Sequence, residues 1–196
     1  MITARKAELI TPEEYLATEL DSPVKHEYVG GVVYAMAGAR NAHNQIAGNV
    51  FGRLHARLLE SSCQPFNSDT KVRIKFPTHQ RFYYPDVMVV CLRNPADDSY
   101  QDNPVIIVEV TSAKTRRTDE GEKKEAYLAI ASLDLYLTIE QETPMVVAYR
   151  RTDEGFVREV FQGLQAILPL PSIKTELTLS EIYRGVEFLP EPEEEL

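Results

Sequence analysis

Apolar positions change their spacing several times along the chain, and each change marks an element. From Arg40 to Glu60, Ile46, Val50, Leu54 and Leu58 recur every four residues, joined by Ala47, Phe51 and Leu59; this period predicts an amphipathic helix of ~20 residues. Val72-Arg-Ile-Lys-Phe76 alternates apolar and basic residues, as a half-exposed strand does. Tyr83–Cys91 is apolar on both faces after Asp86, and the run from Val105 to Thr111 is apolar until Glu109. Runs of this kind suit strands covered on both sides. Residues 26–37 read as a hairpin turning at Gly30-Gly31.

Thr11-Pro-Glu-Glu14 carries a capping box and a proline at the first helical position, predicting a short helix to Leu20 that Asp21-Ser-Pro stops. A second helix is expected over Arg116–Ala131, packing through Ala126 and Ile130. Strands are expected at Leu135–Ile139, Met145–Arg150 and Phe156–Phe161, with a last short helix after Leu179. The order predicts a mixed α/β fold, a central mixed sheet flanked by helices. No repeat or low-complexity linker divides the chain, so residues 1–190 are expected to form a single domain. Residues 191–196 are expected to be a disordered acidic tail.

Composition narrows the function. The chain has 196 residues, 43% hydrophobic, with 21 Lys+Arg against 30 Asp+Glu for a formal charge of −9. Four of those acids, Glu191, Glu193, Glu194 and Glu195, lie in the tail, but the remainder is still acidic. A polybasic nucleic-acid binder is therefore excluded, while a local basic groove is not. The longest apolar run is six residues, against the ~20 that a spanning helix needs, so no membrane span is expected. The N-terminus lacks an apolar signal region, and the expected location is cytoplasmic. Cys63 and Cys91 are too few for a disulfide framework and are expected to be reduced thiols. His26, His55 and His79 lack zinc-ligand spacing.

The chemically informative residues are the two acids inside apolar strands, Asp86 after Pro85 and Glu109 within Val-Ile-Ile-Val-Glu-Val. A buried carboxylate is costly unless paired or saturated with hydrogen bonds. A divalent metal or a lysine would serve, and Mg²⁺ suits a few carboxylate oxygens completed by water and phosphate. The alternative is that each acid simply marks a strand end. Downstream, Asp119, Lys123 and Tyr127 are spaced by four, one stripe of a helix. Asp119–Lys123 could be an ordinary surface pair, or Lys123 could lie over the strand acids.

The series Pro85-Asp86, Glu109-Val-Thr-Ser112 and Asp119-x-x-x-Lys123-x-x-x-Tyr127 resembles the Uma-type endonuclease family, within the PD-(D/E)xK restriction-endonuclease-like superfamily. His26-Glu27-Tyr-Val-Gly-Gly and His43-Asn-Gln45 extend the likeness, which runs from about Thr11 to Arg150. The resemblance implies a restriction-endonuclease-like core with Asp86 and Glu109 binding Mg²⁺ or Mn²⁺ and Glu27 as a third acid near the metal. The superfamily lysine lies two residues after the second acid, which here is Thr111. The resemblance therefore points to Lys123, on the following helix, with Lys124 and Lys114 as neighbours.

These residues suit phosphodiester hydrolysis: an ion polarises the phosphoryl group and Lys123 orients water or stabilises charge. His43 and Gln45 could face the same cleft. Lys71, Arg73 and Lys75 on one strand face, with Lys114, Arg116 and Arg117, could track a phosphate backbone, with DNA as the expected partner. They would equally serve as a solvated strand face and ordinary loop charges. A catalytically silent nuclease fold used for binding or assembly, or a plain structural domain, would share these features. Pairing of edge strands, with help from Leu164–Ile173, would give a homodimer.

Overall fold

The computed structural model describes residues 9–111 and 119–188, the side chains of Asp119 and Glu120 excepted. Helix α1 spans Pro12–Glu19 behind the expected capping box: the Glu14 amide donates to Thr11 Oγ1 and the Thr11 amide to Glu14 Oε2. Strands β1 (His26–Val29) and β2 (Val32–Ala35) form the hairpin. At its turn Gly31 has φ +104°, and a Cβ there would come within 2.9 Å of the Leu9 side chain, so only glycine fits. Helix α2 covers Asn41–Arg57.

Two larger sheets follow. In the five-stranded sheet, β1 and β2 continue through β5 (Gln80–Tyr83), β4 (Lys71–Lys75) and β7 (Tyr100–Gln101), in the order β2-β1-β5-β4-β7. The six-stranded sheet contains β3 (Gln64–Asn67), β6 (Val87–Val90), β8 (Pro104–Thr111), β9 (Leu135–Glu140), β10 (Met145–Thr152) and β11 (Gly155–Gln162). Its order is β11-β10-β9-β8-β6-β3, with β8 and β9 parallel and the other neighbours antiparallel. A two-stranded ribbon, β12 (Ile167–Leu170) and β13 (Thr175–Thr178), precedes a short helix at Leu179–Ile182. The chain passes from the first sheet to the second through Tyr84-Pro85-Asp86.

The central strands are buried on both faces, which explains their unbroken apolar sequence. On one side Ile46, Val50 and Leu54 of α2 meet Val87, Val89, Ile106 and Val108. On the other, Met88, Val90, Ile107 and Tyr136 meet Ala126, Tyr127, Ile130 and Leu133, together with Val72 and Ile74 from the five-stranded sheet. Tyr15, Tyr28 and Phe82 form a smaller aromatic cluster beneath α1.

Three expectations need correction. Where the helix expected over 116–131 is described, it is a kinked turn at Asp119–Lys123, broken where Gly121 takes φ −102° and ψ −108°, followed by α3 at Lys124–Leu128. Residues 112–118 lie outside the described residues. The basic face of β4 is solvated only at its far end: Lys75 is exposed, but Lys71 is 4% exposed and its side chain turns inward to the Tyr84 hydroxyl. Within the Leu164–Ile173 segment, Leu168, Leu170 and Ile173 pack into the chain's own core while Leu164 and Ile167 are exposed. Finally, Cys63 and Cys91 form a disulfide. Gln64 pairs with Val90, so the next residues outward on β3 and β6 face one another, a register that the sequence does not reveal. No helix among the described residues is long and apolar enough to cross a membrane.

Closing a loop with a separation of 28 residues, the disulfide should stabilise the fold by about 3.5 kcal/mol through the unfolded chain. Reduction, or Cys63→Ala with Cys91→Ala, should lower the melting temperature; equal melting with and without reductant would show that the bond contributes nothing. A second prediction concerns Asp102, which takes two hydrogen bonds from Arg73 at 2.7 and 2.6 Å. Burial works against its ionisation, but Arg73 and Asn94 outweigh that and hold the carboxyl below its ordinary range. A depressed acid stabilises the fold above its unfolded pKa of ~4, and the contribution is lost as pH falls through the folded value. The unfolding free energies of the native protein and Asp102→Asn in urea should differ most above pH ~5 and converge on acidification; a gap independent of pH would contradict this.

Candidate active site

The site lies where the two sheets approach each other, and each member is placed by its element. Glu27 is the second residue of β1. Asp86 ends the crossover between the sheets, just before β6, and Glu109 lies in β8. Val87 pairs with Val108, so one step further along the antiparallel ladder brings Asp86 opposite Glu109. Lys123 closes the kinked turn, and Tyr127 follows it on α3. His43 projects from the first turn of α2.

These side chains converge. Lys123 Nζ is 2.7 Å from Glu27 Oε1 and 3.8 Å from Glu109 Oε1. The Glu27 contact lies off the hydrogen-bonding directions of that oxygen, so it is ionic in character. The Tyr127 hydroxyl donates to Glu109 Oε1 at 2.7 Å. Asp86 Oδ2 accepts from the Val110 amide at 2.7 Å and lies 3.1 Å from His43 Nε2. Lys123 Nζ also sits 5.5 Å from the centre of the Tyr83 ring, whose edge meets Tyr127. All four charged side chains are largely buried, from 7% exposed for Glu109 to 16% for Glu27.

Burial first, and then the adjacent Glu109 and Glu27 charges, push the Tyr127 hydroxyl well above its ordinary pKa. Tyr127 is therefore a fixed proton donor that orients the Glu109 carboxylate. Burial likewise raises Tyr83, against the opposing influence of Arg81.

Of the expected trio, Glu27 and Glu109 flank the Lys123 ammonium, and Asp86 lies opposite Glu109, held by the Val110 amide and His43. Among the described residues, no three His, Cys, Asp or Glu side chains are grouped so as to hold one ion. Glu27 engages Lys123, leaving Asp86 and Glu109 as a neighbouring pair of hard oxygen donors. Such a pair suits the incomplete protein shell of Mg²⁺ or Mn²⁺.

The expected substrate contacts fare less evenly. His43 meets Asp86, but Gln45 lies ~200° further around the helix and bonds Asn49 on an exposed face shared with Asn41 and Asn44. The expectation that both face one cleft is thus corrected by helical geometry. Lys71 is buried, and Arg73 is committed to Asp102; Lys75 alone of the three is exposed, 3.7 Å from the same carboxylate. Ser112, Lys114, Arg116 and Arg117 lie outside the described residues, as does the side chain of Asp119. Tyr83, whose ring faces Lys123, escaped the sequence reading; its place two residues before Pro85-Asp86 is the only local signal.

Several comparisons bear on this arrangement. The Uma2 family, described as "Putative restriction endonuclease", matches residues 12–181. The chain is 31% identical over 180 residues to the "Uncharacterized protein slr1290" of Synechocystis sp., covering 91% of this chain and 94% of that protein. It is 29% identical over 157 residues to "Uncharacterized protein sll1609" of the same organism, covering 79% and 88%. Its fold is similar to the crystal structure of a "putative nuclease belonging to DUF820" from Anabaena variabilis, with a TM-score of 0.69 at 19% identity, covering 89% of this chain and 97% of that one. Matched from the start of α1 to the closing helix, the chain belongs to the Uma2 family.

Proposed function

We propose that this protein is a divalent-metal-dependent endonuclease that hydrolyses phosphodiester bonds of DNA. The observation that carries the proposal is the buried Lys123 ammonium held between Glu27 and Glu109, with Asp86 opposite Glu109 on the adjoining strand. Asp86 and Glu109 would hold Mg²⁺ or Mn²⁺; when bound, the ion supplies Lewis-acid polarisation of the phosphoryl group and a more acidic water. Lys123 stabilises negative charge as it develops on the phosphoryl oxygens, and in a partly dry site that contribution is large. Glu27 keeps the ammonium in place. Tyr127 fixes one oxygen of Glu109, and His43 and the Val110 amide fix Asp86. Lys75, Lys114, Arg116 and Arg117 are the residues proposed to track the DNA backbone.

A second reading has an observation of its own. With Lys71 buried and Arg73 neutralised by Asp102, the basic strand expected to meet phosphates is largely spent on internal contacts. This favours a nuclease fold that binds or assembles without cutting.

Supercoiled plasmid incubated with the purified protein in Mg²⁺, Mn²⁺ or EDTA separates the two. Metal-dependent nicking should occur, be abolished by Glu109→Ala, and fall about 10²–10³-fold in Lys123→Ala, the loss typical of one fixed transition-state charge partner. Mn²⁺ binding without nicking on any plasmid or linear duplex would favour the non-cutting reading. Full activity in Lys123→Ala would remove the lysine from the mechanism.

A further inference from the structure

Behind the site runs a second buried polar chain that the mechanism above does not use. Glu19, the last residue of α1, has a side chain only 4% exposed. Its Oε1 accepts from the His26 amide at 2.7 Å and from the Tyr84 hydroxyl at 2.9 Å, and its Oε2 lies 3.0 Å from His26 Nδ1. The Tyr84 hydroxyl in turn accepts from Lys71 Nζ at 3.2 Å. The Tyr15 hydroxyl donates to the His26 carbonyl, so His26 is held at amide, carbonyl and ring. An unpaired buried carboxylate or ammonium is costly; here the phenol hydroxyl bridges Glu19 and Lys71, satisfying both.

The position of this chain is what gives it meaning. His26 immediately precedes Glu27, and Tyr84 is joined to Asp86 through the rigid, buried Pro85. Glu27 belongs to the five-stranded sheet and Asp86 immediately precedes a strand of the six-stranded one, and these sheets share no strand. We propose that Glu19 is a positioning residue of the site: through His26 it sets β1 and hence Glu27, and through Tyr84 it sets the crossover and hence Asp86. The proposal rests on Glu27 and Asp86 serving the reaction proposed above. Apolar packing between the sheets is non-directional, whereas one carboxylate bonded to two segments fixes their spacing. Burial, reinforced by the Glu19 charge, raises the Tyr84 hydroxyl above its ordinary pKa, and burial lowers Lys71 while Glu19 resists that fall. Tyr84 thus remains a donor to Glu19 at neutral pH.

The test compares Glu19→Leu, which removes the acceptor shared by the His26 amide and the Tyr84 hydroxyl, and Tyr84→Phe with the native protein and with Glu181→Gln, which breaks a remote pair with Arg57. Hydrogen exchange at the Val110 amide, which donates to Asp86, reports the placement of Asp86 without any metal or activity. Val110 should exchange at least tenfold faster in both variants while Val147, in β10, keeps its protection. Mn²⁺ affinity measured by calorimetry should weaken 10–100-fold, the usual loss for a residue supporting metal ligands, and Glu181→Gln should change neither readout. The double variant should be no worse than the poorer single one, since both cut the same link. Should Glu19→Leu fail to fold, Tyr84→Phe alone decides, because it retains the ring and its packing. Val110 protection and Mn²⁺ affinity equal to native in a folded Tyr84→Phe would overturn the proposal. Failure of the nuclease reading looks different: the native protein would show neither nicking nor Mn²⁺ binding sensitive to Asp86→Ala, while Val110 exchange would still decide the role of Glu19.

Discussion

A single ammonium group holds the site together. Lys123 lies between Glu27 on one sheet and Glu109 on the other, so the contact is both a local charge balance and a bond between layers. Remove the cation, and two carboxylates face each other in a region that water barely reaches, where like charges repel strongly. Desolvation of the lysine is tolerated because its neighbours are acidic and the face of the Tyr83 ring lies beside it. The rest of the arrangement follows: Tyr127 must stay protonated to steady Glu109, and Asp86 takes its own support from the Val110 amide and His43.

Around this core the protein uses ion pairs according to depth. Arg57 with Glu181 and Arg73 with Asp102 are partly exposed and join elements at the periphery, where such contacts stabilise only modestly. The buried Glu19–Tyr84–Lys71 chain is costlier to desolvate, and its value lies in geometry. It anchors the crossover at a point where hydrophobic contact would leave the angle between layers loosely defined.

Much of the fold was legible in the sequence, for local reasons. The Thr11 capping box, the Gly30-Gly31 turn and the four-residue period of α2 are short-range signals, and the structure contains each. Asp86 and Glu109 stood out because charge interrupts otherwise apolar strands, and the spacing of Lys123 and Tyr127 survived although regular helix begins only at Lys124. What stayed hidden depends on distant partners. Lys71 reads as a solvated strand residue until Tyr84 and Glu19 are seen beside it, with 65 residues separating the latter two. The disulfide needs the register of β3, whose Pro65 disguises it as a loop; an edge strand tolerates that proline. The short β5 and β7 carry too few residues to show a period.

The crossover at Tyr84-Pro85-Asp86 has a consequence for folding order. Residues 27, 43, 86, 109 and 123 come from five separate stretches of chain, and closing such long loops is entropically slow. Neither sheet alone contains the constellation, since Glu27 belongs to one and Glu109 to the other. A chain with only one layer formed would have exposed apolar strands but no assembled charge cluster. The cluster is thus a marker of completed folding, gained when the layers dock and lost at the first step of their separation.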